Sequence, residues 1–284
     1  MFKEAIKQEA KLRLAVAGPS GSGKTYTSLA IGTHMGKKIA LVDTEHGSAS
    51  KYADLFHFDV QEMEPPFSVD RFIKCIQEAQ AREYDVLILD SLSHMWNGTG
   101  GLLEQVDQIA RARYQGNSFA AWKDVTPLYN KLVDVIIQSD IHIIATMRTK
   151  QDYIVTTDEK GKSKPQKVGL APIQREGFEY EFDVVLMMDI ENNAVVTKTR
   201  AASLHNKIYP KPGKDFAVEI MEWLKGAPRV ETVDVYGDKA VEYAAKAWNI
   251  SPNEAREAID QAVKEGKLKG PFTKQSFKEF VNSA

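Results

Sequence analysis

The chain carries a single cysteine, Cys75. One thiol excludes a disulfide framework and any multi-cysteine metal site. It falls on the apolar side of a predicted helix, where packing is its expected role. No stretch approaches the ~18–20 apolar residues needed to cross a bilayer, and the opening MFKEAIKQEAK lacks the apolar core of a secretion signal. A cytoplasmic protein without membrane contact is the expectation. Charge of one sign is missing too: 37 basic residues meet 39 acidic ones for a net charge of −2, so any nucleic-acid surface must be a local patch. The six histidines are scattered without ligand spacing, and there is no internal repeat or low-complexity segment. What remains, 284 residues of which 43% are apolar and 27% charged, suffices for one large soluble domain and a small appendage.

Apolar runs at 12–17 (LRLAVA), 38–43 (KIALVD), 85–90 (DVLILD) and 141–147 (IHIIATM) read as strands. Helical patterns separate them: 24–35; a helix capped by Ser68 with Val69, Phe72, Ile73 and Ile76 on one face; and 124–139. Continuous apolar strands alternating with helices imply a parallel sheet covered on both faces. The pattern changes after residue 148. Segment 149–181, with its run TTDEKGKSKPQKVG, shows no apolar period and is expected to be a mobile loop. Residues 183–190 and 194–200 flank Glu191-Asn192-Asn193 as a terminal β-hairpin. Segment 226–234 reads as a linker, so domains of 1–228 and 235–284 are expected. Ser251-Pro252-Asn253-Glu254 opens a helix in the second, with a capping serine, proline at the first helical position and glutamate at the third, and Gly266 suits its end.

Gly18-Pro19-Ser20-Gly21-Ser22-Gly23-Lys24-Thr25 matches G-x-x-x-x-G-K-[ST] and sits between a strand and a helix, the context this motif requires. Its backbone N–H groups can curl round phosphates, Lys24 can reach the β- and γ-phosphates, and the Thr25 hydroxyl can join a Mg²⁺ shell. ATP and Mg²⁺ are the expected ligands. Asp90, ending an apolar strand, is the expected anchor for a water on that Mg²⁺. Ser91 follows it rather than glutamate, so the general base must come from elsewhere. Glu45, just past the second strand, is the candidate, because the carboxyl ends of strands in a parallel sheet face the ligand.

These motifs, with Val42-Asp43-Thr44-Glu45-His46 and Met147-Arg148-Thr149-Lys150, resemble the RecA family of recombinases over about residues 10–220. More narrowly, the chain looks like the core-only RecA-type ATPases that bacteriophages encode. The resemblance implies an α/β fold: a RecA-type (ASCE) P-loop core with a mainly parallel sheet in the order 5-1-4-3-2, a terminal β-hairpin and a small C-terminal helical domain. It also implies Glu45 as the catalytic carboxylate and Tyr52, seven residues on, stacking on adenine. Two positions depart from the family. Thr146 stands where a glutamine senses the γ-phosphate, and Ala49 where an acid contacts the adenine amino group.

Lys198 and Arg200 alternate on the second hairpin strand. They resemble cations that RecA-type rings or filaments insert into the neighbouring subunit's site, although a solvated, charge-guarded edge strand explains them equally. Phe2-Lys3-Glu4-Ala5 resembles an F-x-x-A subunit-gripping element. Arg148, Lys150, Lys160, Lys162, Lys164 and Lys167, with Tyr153 for base stacking, form a candidate single-stranded DNA loop, against the alternative of a plain surface loop. Asn97-Gly98-Thr99-Gly100-Gly101 reads as a second mobile element. Two functions follow from the sequence. One is an ATP-dependent, single-stranded-DNA-binding recombinase or annealing factor that assembles as a homo-oligomer. The other is a nucleotide-switched loader or scaffold for a replication protein, with weak hydrolysis.

Overall fold

A computed structural model describes residues 5–157, 163–226, 234–268, 272 and 274–283. Glu9–Lys225 form one compact unit, and the described residues after Lys225 belong to a second. Among the described residues the large unit holds a nine-stranded sheet flanked by helices. Its central strands are β1 (Arg13–Gly18), β2 (Ile39–Asp43), β4 (Val86–Asp90), β5 (His142–Thr157) and β7 (Val184–Met188), all parallel and ordered β2-β4-β5-β1-β7. Read from the other edge this is 5-1-4-3-2 in the strands predicted above. A short parallel strand, β3 (Asp59–Glu62), extends the sheet beside β2. The antiparallel strands β8 (Asn193–Thr199) and β9 (Ile208–Pro210) extend it beside β7.

Alternate residues of each central strand feed two separate cores. Ala15, Ala17, Leu87, Leu89, Ile143 and Ala145 face α2 (Val69–Ala81) and α5 (Ser118–Gln138), meeting Phe72, Ile76, Leu132 and Ile136. Leu14, Val16, Ile88 and Ile144 face α1 (Lys24–Gly32) and α6 (Lys214–Leu224), meeting Leu29, Ile31, Phe216 and Ile220. Burial on both faces is why these strands read as unbroken apolar runs rather than as alternating ones. Parallel pairing in register also brings the strand ends together: Gly18 lies opposite Arg148, and Asp43 opposite Asp90.

Two expectations are corrected. Segment 149–181 is not a loop throughout: β5 runs on to Thr157 and pairs antiparallel with β6 (Ser163–Pro172), a hairpin projecting from the sheet's carboxyl edge. Cross-strand pairing defines it, and an apolar period is not needed for that. Residues 97–101, read as mobile, join α3 (Leu92–Asn97) to α4 (Leu102–Arg113) under close restraint. Phe67 N–H donates to the Thr99 carbonyl at 2.8 Å, and a Cβ on Gly100 would come within 2.3 Å of Pro66.

The second unit packs α7 (Asp238–Trp248), α8 (Pro252–Lys264) and α9 (Lys274–Ser283) around Val241, Ala244, Ile259, Phe277 and Val281. Ser251 and Glu254 close a reciprocal capping box at the start of α8, with Pro252 in its first turn. Most of the expected linker and of Phe2–Ala5 lies outside the described residues. Among the described residues no helix is long and apolar enough to cross a membrane.

Candidate functional site

The turn after β1 is closed by its own side chains. Ser22 Oγ donates to the Pro19 carbonyl at 2.9 Å, and Lys24 Nζ donates to the same oxygen at 2.8 Å. A Cβ on Gly18 would come within 2.5 Å of Ser22 Oγ and 2.9 Å of Met188 Cβ, so only glycine lets the strand enter this turn. Gly23, with φ of 79°, takes the left-handed conformation that starts α1. Ser20 and Gly21 form the exposed tip of the turn. The first turn of α1 contains no acidic residue, so its N–H groups and positive end are uncompensated on the side of the loop. Asn192, at the tip of the β7–β8 hairpin, touches the loop from outside: its Nδ2 lies 3.5 Å from the Gly21 carbonyl.

Below the loop, Asp90 is 1% exposed and held by one hydroxyl on each oxygen. Thr25 Oγ1 donates to Oδ2 at 2.6 Å, and Thr146 Oγ1 donates to Oδ1. Burial raises the Asp90 pKa above its ordinary value, against the lowering effect of these two hydrogen bonds. A buried carboxylate beside a helix-opening threonine is a donor set suited to a hard divalent cation. Among the described residues no cluster of three or more His, Cys, Asp or Glu could hold a metal by itself, so such a cation would rest on Thr25, Asp90 and the phosphates of a nucleotide. The residues present therefore fit Mg·ATP. Thr146, which stands where the RecA family's phosphate-sensing glutamine would be, has its hydroxyl directed at Asp90 and is wholly buried.

Glu45 projects from a turn shaped by Asp43, whose carboxylate accepts from Glu45 N–H at 2.6 Å and Ala49 N–H at 2.8 Å. Its partner is Arg148: Nε donates to Glu45 Oε1 at 3.0 Å, and Nη2 lies 2.9 Å from the same oxygen in an ion pair. The sequence grouped Arg148 with the DNA loop, and the fold brings it to the nucleotide site. Lys24 shares this neighbourhood. Burial lowers its pKa, while Glu45 and Asp90 pull the value up and Arg148 pushes it down. Thr44 and His94 were not picked out by the sequence. Thr44 Oγ1 accepts from Ser91 N–H at 2.8 Å and lies 2.7 Å from His94 Nδ1, tying the ends of β2 and β4 together. The His94 ring stacks on Phe67 at 5.0 Å, and burial lowers its pKa. Its place one helical turn beyond Asp90 was the only available signal.

Tyr52 sits beside the P-loop helix, with Tyr26 edge-on to it at 5.8 Å and to Phe56 at 5.1 Å. Lys198 and Arg200 are elsewhere. Lys198 pairs with Val185 in the strand register, at the end of the sheet opposite the loop. Its Nζ donates to the Tyr180 and Phe182 carbonyls, and Arg200 pairs with Asp183 at 3.0 Å. Lys150 is exposed at the root of the β5–β6 hairpin. Tyr153 lies opposite Lys167, and Thr156 opposite Lys164, in its strand pairing. Lys160 and Lys162 lie outside the described residues.

A search among curated proteins finds no match to the chain. A family model described as an AAA domain, AAA_24, matches residues 10–214. That span takes in the phosphate loop, Glu45, Asp90 and the whole parallel sheet, and the chain belongs to this family of AAA-type P-loop ATPases.

Proposed function

We propose that this protein is a Mg²⁺-dependent ATP hydrolase of the RecA-like kind found in bacteriophages, which binds single-stranded DNA and acts in recombination or annealing. The path of β5 carries this reading. One strand bears Thr146 against Asp90 and Arg148 against Glu45, then continues as a leg of the lysine-bearing hairpin. Ligands at the loop and on the hairpin would act on the same stretch of backbone, which gives them a physical route to reciprocal coupling.

In this reading Lys24 exchanges the Pro19 carbonyl for phosphate oxygens, and Tyr52 offers a face to the base. Thr25 and Thr146 keep the Asp90 carboxylate oriented, and Glu45 accepts the proton of the attacking water. A bound Mg²⁺ supplies neutralisation of the charge on the transferred phosphoryl. Lys198 and Arg200, remote from their own loop, could serve only a neighbour's nucleotide, so hydrolysis is proposed to depend on a ring or filament of this chain.

The Arg148 contact to Glu45 favours a second reading, because an occupied base suits a slow hydrolase that loads or scaffolds a replication protein. ATP turnover with and without single-stranded DNA separates the two. The first predicts stimulation and salt-sensitive binding, with a slope of about −0.7 per neutralised phosphate. Flat turnover, with no binding at low salt in a non-hydrolysable analogue, would leave the loader.

A further inference from the structure

We propose that Arg148 is a latch: in the free protein it withholds the Glu45 carboxylate, and single-stranded DNA on the β5–β6 hairpin draws it away. This rests on the reading of Glu45 as base and of the hairpin as the DNA element.

Three observations carry it. Arg148 holds one oxygen of Glu45 with a hydrogen bond from Nε at 3.0 Å and an ion pair from Nη2 at 2.9 Å, so the guanidinium sits on the carboxylate. Its backbone is the root of the hairpin: the N–H donates to Ser93 Oγ at 2.9 Å, and the carbonyl accepts from Ile173 N–H at 2.7 Å where the other leg returns. Any displacement of the hairpin therefore moves Arg148 first. The hydroxyls of Thr149, the next residue, and of Ser91, whose N–H donates to Thr44 beside Glu45, are buried without a hydrogen-bond partner. Unpaired buried hydroxyls are costly, so a second arrangement in which they pair has a gain to offset the loss of the ion pair.

The pair itself is weak enough to be exchanged. Arg148 and Glu45 side chains are 46% and 27% exposed, and ion pairs this open hold little net free energy. Arg148 also lies close enough to Lys24 for each cation to oppose the other. A phosphodiester backbone beside Lys150 offers the guanidinium a new anionic partner without that repulsion. Glu45 is then free to take a proton from water. No bond is made or broken in the latch step.

The test is Arg148→Gln, assayed for ATP turnover with and without an oligothymidylate strand. Turnover without DNA should rise about threefold to fivefold, the scale of losing one exposed ion pair, and DNA should add nothing further. Glu45→Ala gives a readout independent of turnover, since it removes the oxygen that holds Arg148. Its affinity for oligothymidylate without nucleotide should exceed that of the wild type by about threefold to fivefold, the same scale. Unchanged or reduced turnover in Arg148→Gln, or an unchanged DNA affinity in Glu45→Ala, overturns the latch. If the strand neither binds nor stimulates the wild type while Arg148→Gln still turns over faster, the DNA reading fails and the withheld base stands.

Discussion

Asp90 is a carboxylate almost out of reach of water, and its two hydroxyl partners decide how it can serve a cation. An ionised group in that position is tolerable only if its oxygens are satisfied, and Thr25 and Thr146 each satisfy one. Thr146→Val keeps shape and volume and removes one donor. If Thr146 orients Asp90, calorimetry should show the Mg²⁺-dependent part of both ATP and ADP binding weakened, by about 1–3 kcal/mol. If it senses the γ-phosphate, ATP binding alone should suffer. Glu45 makes a separate demand. Glu45→Gln should bind Mg·ATP while turnover falls about 10²-fold or more, the scale of losing a general base. Normal turnover by that variant would place the base elsewhere.

Strands and helices differ in how much of themselves the sequence displays. The strands β1, β2, β4 and the first half of β5 are buried on both faces, so their apolar runs are visible to simple inspection. β3 is four exposed residues, DVQE, held by pairing with β2 and by the Tyr84 hydroxyl on Asp59, and has no pattern to read. The phosphate loop and Asp90 were legible because each is a contiguous motif; the contact between Arg148 and Glu45 spans 103 residues and leaves no local trace. The root of β5 holds another hidden feature. Leu12 N–H donates to His142 Nδ1 at 2.9 Å, so the buried imidazole must stay neutral. Burial, with Lys11 and Arg13 nearby, lowers its pKa from 6.5 to about 4. The unfolded chain then binds the extra proton between those values, and stability is full above about pH 6.5 and falls as the pH drops toward 4. His142→Asn, which keeps an acceptor without a titrating group, should flatten that limb. Urea unfolding of the two proteins at pH 7 and pH 4.5 checks it, and parallel losses would refute it.

At the scale of the molecule, the question is whether one chain suffices for turnover. The phosphate loop and Glu45 lie at the carboxyl edge of the parallel sheet, whereas Lys198 and Arg200 lie at the other end of β7 and β8. Within one subunit the two sets cannot meet across the length of the strands. Arg200 is the better probe of the two. Lys198 donates to two backbone carbonyls of its own chain, so its loss would disturb the 178–183 turn. Arg200 is 56% exposed in an ion pair with Asp183, a contact worth no more than about 1 kcal/mol, and reaches the turn only through one longer bond, 3.3 Å to the Tyr180 carbonyl. Arg200→Ala should therefore fold and bind nucleotide like the wild type but hydrolyse slowly. Glu45→Gln should be inactive for the other reason. If each site takes its base from one subunit and its cation from the next, randomly mixed assemblies of the two variants contain some interfaces with both groups intact. With equal parts and head-to-tail contacts, that fraction is about one quarter, and turnover should recover toward about a quarter of the wild-type rate. The recovery should vanish on dilution below the assembly concentration. A mixing curve that never rises above its two ends would confine Arg200 to its own subunit, where it pairs with Asp183 and donates to the Tyr180 carbonyl.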